Sequence, residues 1–140
     1  MKFEIFQPAD FWEVEVQEAQ RDTIASSTPE IVEAIASLGP GWTVRDDDGT
    51  ILGCSGVAPH HTEDGVWLAW AVFSSAIKGR GLSLIRFARG IFESWGAPLV
   101  LYVKPDHEEA ARFARALGFA FERVEDGPTF SGFHYYRRDR

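Results

Sequence analysis

Residues 78–83, which read Lys-Gly-Arg-Gly-Leu-Ser, have the composition of a loop that binds an anion. Gly79 and Gly81 lack side chains, so a bound group can approach the backbone closely and meet outward N–H groups. A helix that begins in this segment adds the positive end of its dipole. Lys78 and Arg80 add two positive charges at the same place, in a chain whose net charge is −7. We call residues 78–83 the anion loop and predict that it holds a phosphate-like group.

Two other interpretations compete with this one. A glycine pair also suits a tight turn that simply leads into a helix. A dinucleotide-binding fold is the second alternative, but its fingerprint has glycine or alanine where this chain has Leu84. The loop also lies in mid-chain, after a predicted hairpin. The dinucleotide fold is therefore disfavoured, and the simple turn stays open.

The anion loop needs a strand before it and a helix after it. Residues 66–73 are apolar on both faces, which predicts a strand in the middle of a covered sheet. Residues 82–95 predict a helix that is mostly buried against that sheet, because their polar residues form only a narrow stripe.

Two helices are predicted in the first part of the chain, over residues 10–24 and 29–38. Thr28 and Pro29 form a strong start for the second one, with a hydroxyl cap followed by proline. Its predicted core face carries three apolar residues, Ile31, Ile35 and Leu38.

The remaining segments complete an α/β domain. Asp106 and Glu109 match a capping box, ahead of a helix that ends at Gly118. Further strands are predicted over residues 3–6, 42–45, 51–57, 99–103, 119–124 and 133–137. The order β-α-α-β-β-β-α-β-α-β-β alternates only in its second half, so we expect one domain over residues 1–140 with a mixed sheet.

Composition and charge limit the function. Of the 140 residues, 45% are hydrophobic and 25% are charged, as in an ordinary folded domain. The net charge of −7 argues against sequence-independent binding of nucleic acid. Cys54 is the only cysteine, so an internal disulfide cannot form and a reducing compartment is expected. A signal peptide needs an apolar run near the start of the chain, where this sequence has Glu4 and Pro8. The longest apolar run is too short for a membrane helix. We therefore expect a cytoplasmic protein without a membrane partner.

Three polar groups outside the anion loop have simple explanations. His60 and His61 would point to opposite sides of an extended segment, so we predict a polar loop rather than a metal site. Residues 46–48, three aspartates, lack the spacing of a calcium loop and predict a solvated turn. Cys54 has no base that can be placed beside it and is predicted to be a buried strand residue. No metal site is predicted.

Two motifs together resemble the GNAT superfamily of acetyltransferases. The family's pyrophosphate loop begins with Arg or Gln, followed by two residues, Gly, one residue, and then Gly or Ala. In the anion loop Lys78 takes the first position, Gly81 matches, and Ser83 takes the last. The second motif reads His-Glu-Glu-Ala over residues 107–110 and Ala-Arg-Ala-Leu-Gly-Phe over residues 114–119, where the family has Asn-x-x-Ala and Tyr-x-x-x-Gly-Phe. The resemblance covers nearly the whole chain.

This resemblance implies a GNAT-like acyl-CoA N-acyltransferase fold and transfer of an acetyl group from acetyl-coenzyme A (acetyl-CoA) to a primary amine. The acceptor, a small molecule or a protein, stays open. The backbone amides near the end of the central strand would bond the pantetheine arm and polarise the thioester carbonyl. The cofactor-binding residues implied are Val72, Phe73, Lys78, Gly79, Arg80, Gly81, Leu82, Ser83 and His107.

The chain departs from the family at the catalytic positions. Ala114 stands where the family has the tyrosine that protonates the departing thiolate, and alanine cannot donate a proton. A thiolate leaves comparatively easily, because the thiol pKa is about 8.5, so this loss need not abolish transfer. Residues 66–73 contain no carboxylate to act as the base. Tyr102 and His107 are the predicted catalytic residues, with Tyr135 and Tyr136 as alternatives.

The alternative function is a GNAT-like domain that serves assembly instead of catalysis. The layout also resembles a group of tailed-phage internal virion proteins, in the Gly-Cys-Ser-Gly-Val run at residues 53–57, in Trp67 and in residues 110–119. A virion location and a virion partner would then be expected, and a homodimer is compatible with either function. The anion loop favours the enzyme, because a purely structural domain does not need it.

Overall fold

The computed structural model describes residues 1–139 and contains a seven-stranded mixed sheet. The strands are Lys2–Ile5 (β1), Gly41–Arg45 (β2), Ile51–Pro59 (β3), Trp67–Phe73 (β4), Leu99–Val103 (β5), Ala120–Val124 (β6) and His134–Arg138 (β7). Their order across the sheet is β1-β2-β3-β4-β5-β7-β6. Strands β4 and β5 pair in parallel, whereas β1–β2, β2–β3, β5–β7 and β6–β7 are antiparallel. The predicted mixed α/β fold and the central strand are confirmed.

Helices lie between the strands along the described residues. The α-helices are Pro8–Glu13 (α1), Arg21–Ala25 (α2), Pro29–Leu38 (α3), Gly81–Glu93 (α4) and Glu108–Ala116 (α5), with 3-10 turns at Glu18–Gln20 and Ser75–Ile77. Within this part of the chain, no helix has the length and apolarity that crossing a membrane requires.

The residues group into two compact units. The first unit comprises Met1–Pro59 and Ala69–Lys78, and the second comprises His60–Leu68 and the chain from Gly79 onward. The single domain over residues 1–140 stays a prediction.

The first unit has an apolar core to which α1, α3 and β3 contribute. Its buried residues are Phe6, Phe11, Val14, Val32, Ile51, Cys54 and Val72. The prediction for Cys54 is confirmed, since it lies in β3 and is 0% exposed. Burial raises the pKa of the Cys54 thiol to about 12, so the thiol keeps its proton and is a poor nucleophile.

A buried polar network closes one side of this core. Asp10 is 7% exposed, and its Oδ2 accepts the Thr43 hydroxyl at 2.7 Å. The same oxygen accepts the Gln7 N–H at 3.1 Å, at the start of α1. Asp10 Oδ1 accepts from the Arg45 guanidinium at 3.1 Å. One carboxylate therefore joins α1 to strand β2.

The predicted helix over residues 10–24 is wrong in its middle. Helix α1 ends at Glu13, and the chain becomes helical again only in the 3-10 turn Glu18–Gln20 and in α2. Between them, Val16 forms a β-bridge with Ser74, and Gln17 N–H donates to the Phe73 carbonyl at 3.0 Å. These backbone bonds to β4 and its end outweigh the local helical preference, which is weak at β-branched valines.

Helix α3 begins as predicted, but its predicted core face is wrong. The Thr28 hydroxyl accepts the Ile31 N–H at 3.2 Å, as an N-cap does. Ile31 and Leu38 are 47% and 55% exposed, whereas Val32 is 2% exposed and Ala36 packs against the core. The helix carries two neighbouring apolar stripes, and the packing selects the one with the smaller side chains.

In the second unit, α4 is less buried than its sequence predicts. Among its residues only Leu84 is fully buried, and Leu82 is 64% exposed. Phe87, Ile91 and Phe92 are half-buried. The apolar residues of α4 therefore leave much of the helix open to solvent.

Helix α5 starts differently from the prediction and ends as predicted. His107, not Asp106, is the N-cap, because His107 N–H donates to the Lys104 carbonyl at 3.0 Å and Asp106 belongs to that turn. The predicted capping box is therefore wrong. At the other end, Gly118 has a φ of 89°, and Phe119 N–H donates to the Ala114 carbonyl at 3.1 Å, as in a glycine C-terminal motif.

Candidate functional site

The anion loop forms the start of α4. Gly79 has a φ of 84°, in the left-handed region that favours glycine, and it turns the chain toward the helix. Arg80 is the N-cap, and the Leu84 N–H makes the first helical bond, to the Arg80 carbonyl at 3.3 Å. The N–H groups ahead of that bond, which the helix itself does not use, belong to Gly81, Leu82 and Ser83.

This loop has both the space and the charge for an anion. A methyl group added at Gly79 or Gly81 would meet no described atom within 4 Å apart from its chain neighbours and the helix's own backbone, so the backbone is open at both positions. The side chain of the N-cap residue, Arg80, makes no capping hydrogen bond to the start of the helix. Lys78, Leu82 and Ser83 are exposed. The helix dipole and the adjacent positive charges can therefore act on a phosphate that approaches the backbone.

Val72 and Phe73 lie at the end of β4, where their backbone groups face opposite edges. Ser74 N–H donates to the Leu52 carbonyl of β3 at 2.8 Å. Since successive residues of a strand alternate, the Phe73 N–H lies on the edge that faces away from β3. This N–H already has a partner, because it donates to Gln20 Oε1 at 2.8 Å. Val72 is 2% exposed and belongs to the core.

A second polar site surrounds Tyr102 in the second unit. The Tyr102 hydroxyl donates to Glu125 Oε2 at 2.8 Å and lies 2.8 Å from His60 Nε2. His60 Nδ1 accepts the N–H groups of Thr62 at 3.2 Å and of Glu63 at 3.0 Å. Because Nδ1 is an acceptor, the proton of the neutral ring is on Nε2, which donates to Tyr102. We call His60, Tyr102 and Glu125 the polar relay.

Burial sets the protonation states in the polar relay. Desolvation, together with the neighbouring His61, lowers the pKa of His60, so its ring is neutral at pH 7. Desolvation raises the pKa of Tyr102 far above its usual range, and its hydrogen bond to Glu125 adds to this effect. The Tyr102 hydroxyl therefore stays protonated, so it donates a hydrogen bond to Glu125 and cannot act as a base. The carboxylate of Glu125, whose side chain is 11% exposed, is the acceptor at the end of the relay.

Aromatic rings and a second ionic group surround the polar relay. The Tyr102 ring stacks on Phe130 with centroids 4.3 Å apart, and Phe130 has a φ of 60°, which is unusual for a residue other than glycine. The Tyr135 hydroxyl donates to Glu63 Oε2 at 2.8 Å, and the Arg123 guanidinium lies 3.7 Å from the Tyr135 ring centroid. The stacking on Phe130 restricts the orientation of the Tyr102 ring.

An open cleft of about 380 Å³ lies between the turn after β5 and the loop before β7. Its lining residues are Lys104, Pro105, Asp106, Ser131, Gly132 and Phe133. Phe133 connects this cleft to the aromatic group, since its ring centroid is 5.6 Å from that of Phe130.

The two predicted catalytic residues have different environments. Tyr102 belongs to the polar relay, whereas His107 is the half-buried N-cap of α5. No hydrogen bond or ring contact among the described residues joins them. Of the alternatives, Tyr135 bonds Glu63, and Tyr136 is 4% exposed and packs against Phe121. Ala114, at the family's tyrosine position, is 1% exposed.

Sequence reasoning missed three residues of these sites. The prediction that His60 and His61 point to opposite sides is wrong: their rings stack at 4.1 Å, because residues 61–65 form bends and turns rather than a strand. Glu125 follows an exposed strand, and Gln20 lies in a segment with weak helical periodicity. No sequence pattern therefore marks either residue as part of a functional site. Within residues 1–139, no group of three or more His, Cys, Asp or Glu side chains is arranged to hold a metal ion.

Comparison with known proteins identifies the fold. No protein-family model matches the chain, and no curated protein sequence matches it significantly. Solved structures do match over nearly the whole chain. A GNAT-superfamily phosphinothricin acetyltransferase from Sinorhizobium meliloti, solved in complex with AcCoA, has a TM-score of 0.71 at 14% identity, covering 99% of this chain and 87% of that one.

Two further structures give the same result. A GCN5-related N-acetyltransferase from Kribbella flavida has a TM-score of 0.68 at 19% identity, covering 99% of this chain and 97% of its own. A ribosomal-protein-S5-alanine acetyltransferase from Vibrio fischeri has a TM-score of 0.66 at 14% identity, covering 98% and 91%. The chain has the fold of the GNAT acetyltransferases.

Proposed function

We propose that this protein is an N-acetyltransferase that transfers an acetyl group from acetyl-CoA to a primary amine. The observation that carries the proposal is the anion loop. Its backbone is open at Gly79 and Gly81, α4 begins at Gly81, and Lys78 precedes Gly79 in the chain. The shared fold supports it, because one fold neighbour was solved with AcCoA.

The residues present fit this co-substrate at its phosphate end. The N–H groups of Gly81, Leu82 and Ser83 would hold the pyrophosphate, and Lys78 and Arg80 would balance its charge. We also propose that Val72, Phe73 and His107 contact acetyl-CoA. The Phe73 N–H becomes available when Gln20 moves away from it. Bound acetyl-CoA supplies an acetyl thioester whose thiolate leaves readily.

The polar relay is the best candidate for handling the proton. An amine must lose a proton before its nitrogen can attack a carbonyl carbon. His60 Nδ1 is already used by two N–H groups, and Tyr102 keeps its own proton. We propose Glu125 as the proton acceptor and Tyr102 as the residue that positions its carboxylate, whose Oε2 accepts the Tyr102 hydroxyl at 2.8 Å and whose Oε1 lies 3.6 Å from Arg123 Nε. Ala114 has no group that could protonate the thiolate, so the thiolate would leave as an anion.

Thermal unfolding with and without acetyl-CoA tests the proposal. Ligand at about one hundred times its dissociation constant adds about 2.7 kcal/mol of stability, which raises the midpoint by several degrees. At the same ligand concentration, the shift is expected to fall to about half or less in the Lys78→Ala/Arg80→Ala variant. An unchanged midpoint for the wild-type protein at millimolar acetyl-CoA would mean that the fold does not bind the co-substrate.

The acceptor is to be found by screening, because the fold neighbours are named for chemically different amines. Phosphinothricin, spermidine and the alanine of a ribosomal protein appear in those names. A panel with an amino acid, a polyamine and a peptide with a free N-terminus covers these three classes. Release of free thiol from acetyl-CoA measures transfer to each of them.

The comparisons with solved structures do not support the assembly function. None of the solved structures described above is a virion protein. The location of the protein, a homodimer and a virion partner stay predictions.

A further inference from the structure

The edge of β4 that faces away from β3 has hydrogen-bonding groups that an extended chain could use. Parallel pairing between β4 and β5 is recorded at Trp67 and Leu68. Farther along the strand, the Ala71 carbonyl and both backbone groups of Phe73 lie on this edge. Such a row of N–H and C=O groups is what an added strand, or any extended amide, binds.

In this structure the protein's own chain uses these groups. Gln20 Nε2 donates to the Ala71 carbonyl at 2.9 Å, and Gln20 Oε1 accepts the Phe73 N–H at 2.8 Å. The carboxamide thus presents one donor and one acceptor, in the way a peptide group of a neighbouring strand would. Gln17 N–H completes the edge by donating to the Phe73 carbonyl at 3.0 Å.

The segment that carries Gln20 is weakly anchored by apolar contacts. Neither the 3-10 turn Glu18–Gln20 nor α2 contains a fully buried residue, in the part of the chain that the structure describes. Val16 and Ile24 are only partly buried against the core. A segment with few buried apolar contacts opens at a low free energy, so its hydrogen bonds can be exchanged for those of another group.

We propose that Gln20 is an internal ligand of the β4 edge, which an extended secondary amide must displace in order to bind at Ala71 and Phe73. This inference rests on the proposed function, because the pantetheine arm of acetyl-CoA is such an amide. Gln20 then lowers the affinity of the protein for acetyl-CoA, since only the fraction of molecules with the edge open can bind the arm.

Three substitutions separate this role from a purely structural one. Gln20→Ala removes both side-chain bonds. Gln20→Glu keeps an acceptor for the Phe73 N–H and loses the donor to Ala71, so it provides a second variant of nearly unchanged shape. Gln17→Ala is the matched control, because Gln17 bonds this edge through its backbone, which the substitution keeps.

The experiment compares two ligands on the full-length protein. Acetyl-CoA carries the amide-containing arm, whereas 3′-phospho-ADP has the nucleotide and pyrophosphate without any amide. Dissociation constants are measured by titration calorimetry for the wild type and the three variants, and circular dichroism establishes that each is folded.

The proposal predicts a change for one ligand only. Gln20→Ala should bind acetyl-CoA about fivefold or more tightly than the wild type, since two ordinary hydrogen bonds no longer compete. The affinity of Gln20→Glu for acetyl-CoA should lie between those of the wild type and Gln20→Ala, and that of Gln17→Ala should match the wild type. All four proteins should bind 3′-phospho-ADP equally.

Two results would overturn the proposal, and they are distinguishable. If Gln20→Ala and Gln20→Glu bind acetyl-CoA as the wild type does, or more weakly, Gln20 is a structural contact and the proposed function stands. If neither ligand binds the wild type or any variant, the proposed function fails and the displacement fails with it.

Discussion

The Tyr102 hydroxyl donates to the Glu125 carboxylate at 2.8 Å, although α5 and β6 lie between the two residues in the 23 positions that separate them. The same hydroxyl accepts from His60 Nε2 at 2.8 Å. Tyr102 is therefore bonded on both sides within the second unit. Under the proposed function, Tyr102 positions Glu125 and does not act as the base.

Removal of the Tyr102 hydroxyl should destabilise the protein. In Tyr102→Phe, the partly buried His60 Nε2 and Glu125 Oε2 both lose a partner, which costs about 1–3 kcal/mol. Urea unfolding followed by circular dichroism measures the change. Tyr136→Phe is the control, because the Tyr136 hydroxyl has no hydrogen bond within residues 1–139, and it should change stability by less than about 0.5 kcal/mol. Equal effects of the two substitutions would contradict the polar relay.

Acid should weaken the fold through His60. Its pKa is lower in the folded protein than the usual 6.5, mainly because of desolvation, with His61 as the second cause and Glu63 and Glu125 opposing them. The unfolded chain therefore binds more protons below pH 6.5, so the stability from neutral His60 is present above that pH and is lost as the pH falls. Protonation also removes the acceptor for the Thr62 and Glu63 N–H groups.

The pH dependence can be assigned by substitution. The free energy of unfolding is measured from pH 7.5 down to about pH 5 for the wild type and for His60→Gln. The wild type should lose more stability than the variant below about pH 6.5. Parallel curves would show that other groups cause the loss.

Asp10 should contribute strongly to the stability of the first unit. Asp10→Ala removes the acceptor of the Thr43 hydroxyl, the Gln7 N–H and the Arg45 guanidinium, and should cost about 2–4 kcal/mol. Asp47→Ala is the matched control, because the Asp47 side chain is 88% exposed and pairs only with the N-terminal amine among the described residues. Denaturant midpoints compare the two, and an Asp10→Ala midpoint equal to that of Asp47→Ala would refute this role.

The two glycines of the anion loop should respond differently. Gly79→Ala places a side chain at a φ of 84° and should cost about 1 kcal/mol in stability. Gly81→Ala should be neutral or slightly stabilising, because Gly81 is the first residue of α4 and the added methyl group would meet nothing within 4 Å beyond its chain neighbours and the helix's own backbone. If a phosphate binds against the backbone, Gly81→Ala should nevertheless weaken acetyl-CoA binding about tenfold, as measured by calorimetry. Unchanged affinity would place the ligand elsewhere.

Much of the fold follows from local patterns in the sequence. The apolar run over residues 66–73 predicts β4, and Thr28 and Pro29 mark the start of α3, because these signals depend on neighbouring residues alone. The errors arise where distant contacts decide. Val16 and Gln17 leave the helix to bond with Ser74 and Phe73, which no local periodicity can indicate.

The sequence likewise predicts only one part of the candidate site. The anion loop is a contiguous motif, so its glycines, charges and following helix can be predicted from spacing. The polar relay joins His60, Tyr102 and Glu125 from three separate segments, and Gln20 meets Phe73 across 53 residues. Their relationship depends on strand register, which the sequence alone does not determine.

Titration calorimetry shows directly whether the anion loop binds acetyl-CoA. The wild type should bind acetyl-CoA with one site per chain. Lys78→Ala/Arg80→Ala should weaken that binding by about tenfold or more, because two positive charges beside the phosphates are lost. Lys2→Ala/Arg112→Ala, which removes the same charge from exposed positions elsewhere, should bind as the wild type does. No heat of binding in the wild type, or equal affinity in all three proteins, would show that the anion loop does not hold acetyl-CoA.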